Sequence, residues 1–167
     1  MKNAVVQAPM DLRTLLTGCD DLSLEKIEAL GKKLYSDIFL DNARRGLRST
    51  HDGEQAAFFN TRFDHAFYVT NKTDRSKHKL VIDKRRVERI KWVCPLIEGL
   101  VPDSECWSVP KIGRDNSRLY IGFAQLYVVW LEPRDTGGWL FSSAYEATRP
   151  EIKGYQRYGR RIWTYGK

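Results

Sequence analysis

Residues 61–70 read "TRFDHAFYVT", and whether they form a strand or a helix decides what the rest of the chain is arranged around. Aromatic and β-branched residues fill the stretch and neither Gly nor Pro interrupts it, which predicts a β-strand. Alternation along that strand would put Phe63, His65, Phe67 and Val69 on one face. An imidazole in an apolar row has two ordinary explanations. It is a core histidine bonded to a backbone carbonyl, or it stands where the apolar face opens into a functional cleft.

Upstream, Ser23 reads as the N-cap of a long helix, with Glu25 and Glu28 near its positive end. Leu24, Ile27, Leu30, Leu34 and Ile38 recur at helical spacing, and Gly46 after Arg44–Arg45 is a natural stop. A shorter helix is expected around Met10 to Thr17, and "LRSTHDGEQAAFF" reads as a connection, with room for a turn of helix. Downstream, "NKTDRSKHK" reads as an exposed basic loop. Asp83 then caps a second helix, "DKRRVERIKWVCPLIEGL", with a stripe through Val87, Ile90, Cys94 and Ile97; Pro95 should kink or end it. Strands follow around "CWSV", "SRLYIGF", "QLYVVWLE" and "WLFSSAYEA", separated by turn signals such as "GRDNS" and "RDTGG". The tail "YQRYGRRIWTYGK" reads as a last strand or an ordered arm.

Helices first and strands afterwards predict an α+β fold, with N-terminal helices packed on an antiparallel sheet. The chain of 167 residues is long enough for one domain with a sizeable core. Its expected division is a helical part over 1–50 and a sheet core over 55–167 with one inserted helix, 83–99. No apolar run reaches membrane-spanning length, and the three cysteines are odd in number and show no CxxC pattern. These features predict reduced thiols and a cytosolic location.

The net charge of +7 is unevenly spread. Residues 1–60 carry eight basic and nine acidic side chains, whereas residues 61–167 carry twenty and twelve. The excess favours a polyanionic partner. From Lys153 onward there are five basic residues and no acid, interleaved with Tyr155, Tyr158, Trp163 and Tyr165. Cations for phosphates and rings for bases are what single-stranded RNA recognition uses. A solvated basic edge strand would look the same.

No GxGxxG, P-loop or nucleophile elbow is present, and His51, His65 and His78 share no ligand spacing. No metal or cofactor is therefore expected. Four residues on three elements depart from bland packing. His65 is the first. Ser143 and Tyr145 follow Trp139 and Phe141 on what alternation makes one strand face. Arg86 borders the apolar stripe of the second helix, where it either snorkels to water or reaches a phosphate. Metal-free RNA cleavage needs a proton-transfer group at the ribose 2′-OH, an acid at the leaving 5′-oxygen and a cation on the phosphate. Histidine, tyrosine, serine and arginine supply those needs.

The motifs "FDHAFYV", "RRVERIKWV", "YVVWLE", "FSSAY" and "RRIW", in that order over roughly residues 34–163, resemble the barnase–EndoU–colicin–RelE-type (BECR) nucleases, closest to the branch found in phage and mobile elements. That resemblance implies a small metal-independent endoribonuclease, often a toxin or effector, in which helices pack on an antiparallel sheet. It implies His65 as the acid/base histidine and matches Ser143-Ala144-Tyr145 to a hydroxyl-x-Tyr element at the phosphate site. Arg86 and Arg89 match basic positions of the intervening helix. A second catalytic histidine has no match, so Tyr145 or a loop lysine, Lys77 or Lys79, would serve. Lys77, Lys79 and Arg89, with Arg157, Arg160, Arg161 and Trp163 of the tail, are then the expected RNA-binding residues, and the partners RNA and, for a toxin, an acidic immunity protein. The alternatives are an RNA-binding module of the same fold without turnover, or a protein-interaction effector.

Overall fold

The computed structural model describes residues 8–41, 46–70 and 79–167. A 3₁₀ turn, Leu12–Leu15, precedes α1, Leu24–Phe39. A hairpin of β1 (Leu47–Ser49) and β2 (Gln55–Ala57) leads into α2, Arg62–Phe67. A small ribbon of β3 (Tyr68–Thr70) and β4 (Lys79–Ile82) follows. Next come α3 (Lys84–Glu88), a 3₁₀ turn (Ile90–Trp92) and α4 (Val93–Ile97). The meander β5 (Ser104–Lys111), β6 (Arg114–Gly122), β7 (Tyr127–Pro133) and β8 (Trp139–Glu146) precedes α5 (Arg149–Tyr158) and β9 (Arg160–Thr164).

The fold is α+β, and the main sheet has the order β1-β2-β8-β7-β6-β5-β9. It is mixed, not antiparallel throughout: β2 runs parallel to β8, with Ala56 opposite Trp139 and Ala57 opposite Leu140. Gly138 makes this junction possible. Its φ is +72°, and a Cβ there would lie 2.7 Å from the Gln55 carbonyl oxygen. Gly138→Ala should therefore cost about 2 kcal/mol or more from the left-handed backbone and the clash together. Urea unfolding of the variant checks it, and an unchanged midpoint would contradict this packing.

The opening stretch is a helix where the sequence predicts a strand. Phe63, Ala66 and Phe67 are buried at i, i+3, i+4 spacing, while Asp64 and His65 are exposed. The β-branched residues of the stretch, Thr61, Val69 and Thr70, all lie at its ends. Residues 62–67 have none, so nothing in that hexapeptide resists helical χ1 angles. Only Tyr68–Thr70 is extended. His65 thus does not interrupt an apolar strand face; a 3.6-residue period puts it on the solvent side.

Helices α1 to α4 cover one face of the sheet, here the inner face. Its core joins Ile27, Tyr35 and Phe39 of α1, Phe63 and Phe67 of α2, Val87, Val93, Leu96 and Ile97 to Tyr127, Val129, Leu131 and Phe141 of the sheet. Ser23 caps α1 as its sequence predicts, accepting from Lys26 N. The helix buries Ile27, Gly31, Tyr35 and Phe39, one position round from the predicted stripe, which leaves Leu24 exposed. Gly31 admits the close approach: a Cβ there would lie 3.0 Å from Val87 and 3.2 Å from the Phe63 ring. The rings of Phe39 and Phe58 stack at 4.4 Å, and those of Phe58 and Phe141 at 4.9 Å. The predicted helix 83–99 is broken at Arg89–Trp92, upstream of Pro95, which lies buried within α4.

The outer face carries a second, smaller core of Val109, Leu119, Ile121, Val128, Ala147 and Ile152, covered by α5. The sequence reading has no helix there. Its start is a capping box: Thr148 Oγ1 accepts from Glu151 N, the Glu151 carboxylate accepts from Thr148 N, and Pro150 lies in the first turn.

Candidate active site on the outer face

A register shift between Trp130 and Leu131 makes Ser143 the partner of Trp130 and Phe141 the partner of Leu131. Ser142 is the extra residue, and it reverses the alternation of β8. Phe141 and Ala144 face the inner core, whereas Tyr145 packs in the outer one. The expectation that Trp139, Phe141, Ser143 and Tyr145 share a face is therefore corrected. The bulge divides them, and Ser143 and Tyr145 end together on the outer face with Trp130.

Trp130 is the hub of that face. Its Nε1 donates to Tyr145 Oη at 3.1 Å, the two hydroxyls of Tyr145 and Tyr155 are 3.0 Å apart, and the Tyr155 ring meets the Trp130 ring edge-on at 5.1 Å. Burial, with the neighbouring Tyr145 hydroxyl, raises the Tyr155 pKa above the ordinary phenol value. The Arg86 guanidinium stands 5.1 Å from the Tyr145 ring centre, within cation–π range. Its Nη1 donates to the Ala66 carbonyl at 2.8 Å, which ties α3 to α2 immediately after His65. Asp83 caps α3 by accepting from Arg86 N and lies 3.6 Å from Arg86 Nε. A cleft of 380 Å³ runs between Arg85, Arg86, Tyr145 and Thr148.

Arg62, at the start of α2, reaches Glu132 of β7 at 3.6 Å, and α2 packs along β8; His65, one turn after Arg62, is exposed on that helix. Glu132 also accepts from Ser142 Oγ at 3.2 Å and pairs with Lys111 at 3.4 Å, and Lys111 lies over the Trp130 ring at 5.6 Å. Burial pushes the Glu132 carboxyl up, but Lys111 and Arg62 outweigh it and leave the pKa below the ordinary value. Beyond Lys111 lies a polar cavity of 530 Å³. Trp130, Glu132 and Lys111 were missed in the sequence. The signal was available for Glu132, since alternation puts Val128, Trp130 and Glu132 on one face of "YVVWLE", with the carboxylate aligned with the tryptophan.

The remaining expected positions divide. Arg89 is turned to Glu146, with Nε 2.8 Å from the carboxylate but not aligned as a hydrogen bond, and lies over Trp92. Arg157 is exposed on α5 over Tyr158, and Arg160 and Arg161 are exposed on β9, Arg161 bonding Glu105 at 3.0 Å. Trp163 packs on the inner core, 4.7 Å from the His51 ring, so it belongs to the opposite face from Tyr145. Lys77 lies outside the described residues, and Lys79 begins β4 opposite Thr70.

A second polar cluster occupies the inner face. The connection "LRSTHDGEQAAFF" is the β1–β2 hairpin, and its tip binds the sheet. Arg118 donates to both Asp52 oxygens, at 3.0 and 2.7 Å, lies 3.0 Å from Glu54, and stacks over Trp139 at 4.4 Å. His51 Nδ1 is 2.8 Å from Tyr120 Oη. Burial, opposed by Asp52, keeps the His51 pKa below its ordinary value. Two carboxylates saturate the one guanidinium, so the cluster is poorly suited to a phosphate and well suited to clamping the hairpin. Burial would raise the Asp52 pKa, yet bonds from Arg118 and Thr50 hold it well below the usual carboxylate range. The sign follows: stability from this carboxylate is complete above the unfolded value near 3.8 and is lost as pH falls through the lower folded value. Asp52→Asn should be less stable than wild type at neutral pH, with the gap closing in acid. Urea midpoints between pH 7 and pH 2.5 check this; a gap independent of pH would contradict the clamp.

Among the described residues, no three His, Cys, Asp or Glu side chains are grouped as metal ligands would be, and no helix is long and apolar enough to cross a membrane. No protein-family model matches the chain, and no match was found among curated proteins or solved structures.

Proposed function

We propose that the protein is a metal-independent endoribonuclease of BECR type whose active site is the outer-face strip along β8. One observation carries this reading. Arg86 and Tyr145, nearly 60 residues apart, lie 5.1 Å from each other, and Arg86 also binds the backbone of the helix that bears His65. In the proposed reaction His65 takes the proton of the ribose 2′-OH, which attacks the adjacent phosphorus. Arg86 and Ser143 hold the phosphate oxygens, and Tyr145, supported by Trp130 and Tyr155, protonates the leaving 5′-oxygen. The products are a 2′,3′-cyclic phosphate and a 5′-hydroxyl, so atoms and charge balance without water or metal. The surplus of basic residues after position 60 supports RNA as substrate. A toxin of this kind requires an inhibitor in its own cell, and an acidic protein complementary to the strip is the expected partner.

Incubating the protein with single-stranded RNA in EDTA tests the reading. Cleavage by wild type and a fall of at least a hundredfold for Arg86→Ala are expected. Salt-sensitive RNA binding with no cleavage by wild type would leave a binding module in place of an enzyme. Failure to bind RNA at low salt would point to a protein-interaction role.

A further inference from the structure

We infer that the outer face holds a nucleotide subsite beside the proposed catalytic strip, with an apolar slot for one unpaired base and a polar cavity for its phosphate. It rests on the reading of this face as a nucleic-acid surface. The slot has a volume of 670 Å³ and lies between the end of β5 and α5, walled by Val109, Pro110, Ile112, Gly154, Tyr155 and Tyr158, with Lys111 and the capping-box Glu151 also lining it. That volume is within the roughly 300–1,000 Å³ usual for small-ligand sites. Ile112 is fully exposed and Tyr158 is 69% exposed, so the walls include apolar surface that the protein itself does not cover. Arg157 lies over the Tyr158 ring at 5.6 Å, an arrangement open to a stacked base.

Two observations identify a nucleotide as the occupant. First, Lys111 lines both the slot and the 530 Å³ polar cavity, so the two adjoin at a cation that can meet the phosphate of a base held in the slot. Second, Ser117 lines that cavity with a buried hydroxyl that has no hydrogen-bond partner, although the residue is only 1% exposed. A phosphate oxygen would satisfy it. Lys111, Arg114 and Arg134 line the cavity against Glu132, Asp115 and Asp135, so its charges balance, and Glu132 is itself paired by Lys111 and by Arg62 from outside the lining. Tyr155 joins the slot to the strip, since its hydroxyl meets that of Tyr145. A base in the slot would therefore belong to the strand being cleaved.

The test is fluorescence anisotropy with a single-stranded, fully 2′-O-methylated oligonucleotide, which cannot be cleaved through its 2′-oxygens. A Cβ at Gly154, which lines the slot, meets nothing within 4 Å, so Gly154→Leu adds a side chain there without a Cβ clash and favours the helix. Gly154→Leu and Tyr158→Ala should each weaken binding about 5- to 100-fold, the range of one base–aromatic stack. An abasic oligonucleotide should bind wild type and both variants alike. Undiminished binding by both variants, or equal weakening toward intact and abasic strands, overturns the subsite. So does a wild-type dimer in sedimentation that Gly154→Leu dissociates, because a second copy would then occupy the slot. The two readings fail separately. RNA cleavage with variant-insensitive binding leaves the nuclease and removes the subsite, whereas slot-dependent binding without cleavage of unmodified RNA does the reverse.

Discussion

His65→Ala is expected to lower the rate of RNA cleavage by about 10²–10⁴-fold, the usual worth of one positioned acid/base group. Binding of an uncleavable strand should change little, because phosphate and base contacts are assigned to other residues. The packing of α2 should persist, since Phe63, Ala66 and Phe67 anchor that helix while His65 lies on its exposed side. A thermal melt within a degree or two of wild type would establish that the loss is chemical. His65→Gln, which keeps hydrogen bonding but not titration near neutral pH, should be as slow as His65→Ala. Equal rates for variant and wild type would remove this imidazole from the mechanism.

The largest loss of stability is expected at Phe141. Its ring closes the stack of Phe39 and Phe58 and is fully buried where α1, the β2 connection and β8 meet. Phe141→Ala should cost about 3–5 kcal/mol, the sum of lost transfer energy and a cavity the surrounding rings cannot close. At roughly 2–4 °C per kcal/mol for a chain of this size, the melting point should fall by about 6–20 °C. A loss below 1 kcal/mol would mean that these rings do not form a common core. Phe141 also tests the bulge. Were β8 regular to its end, Ser143 would face the same interior; with Ser142 bulged, Ser143→Ala should have little effect on stability.

Local chemistry was legible in the sequence and long-range pairing was not. Ser23 announces α1 because a hydroxyl before an apolar period of 3.6 has one ready use. The meander β5 to β8 is visible from its strand patterns and two of its turns, Gly113 and Arg134–Gly138; the β6–β7 turn, Phe123–Leu126, carries no Gly, Asn or Asp, and Asp115 and Asn116 of the expected turn "GRDNS" lie within β6. The helix α2 was misread because its aromatic residues suit either state in so short a run, and only the position of the β-branched residues separates the two. The helix α5 was missed although Thr148 and Glu151 stand at capping-box spacing; the basic and aromatic character of the tail drew the reading toward binding. No local signal marks the parallel pairing of β2 with β8, which joins residues more than 80 positions apart.

The site shows the same division. Arg86 and Tyr145 were identified by their departure from apolar patterns, and they lie together. The bulge at Ser142 had no sequence signature, yet it is what turns Ser143 and Tyr145 outward. Trp163 was assigned to RNA from composition alone, but pairing of β9 with β5 at Cys106 turns it inward against His51.

The central claim is that RNA is cleaved by attack of its own 2′-hydroxyl at the outer face. The most direct measurement is end-group analysis of a single-stranded substrate cleaved in EDTA, beside the same strand carrying a 2′-deoxy residue on the 5′ side of the scissile phosphate. The account predicts 2′,3′-cyclic phosphate and 5′-hydroxyl ends from the first and no cleavage at that bond in the second. Cleavage of the deoxy-substituted bond, or products ending in 3′-hydroxyl and 5′-phosphate, would contradict it.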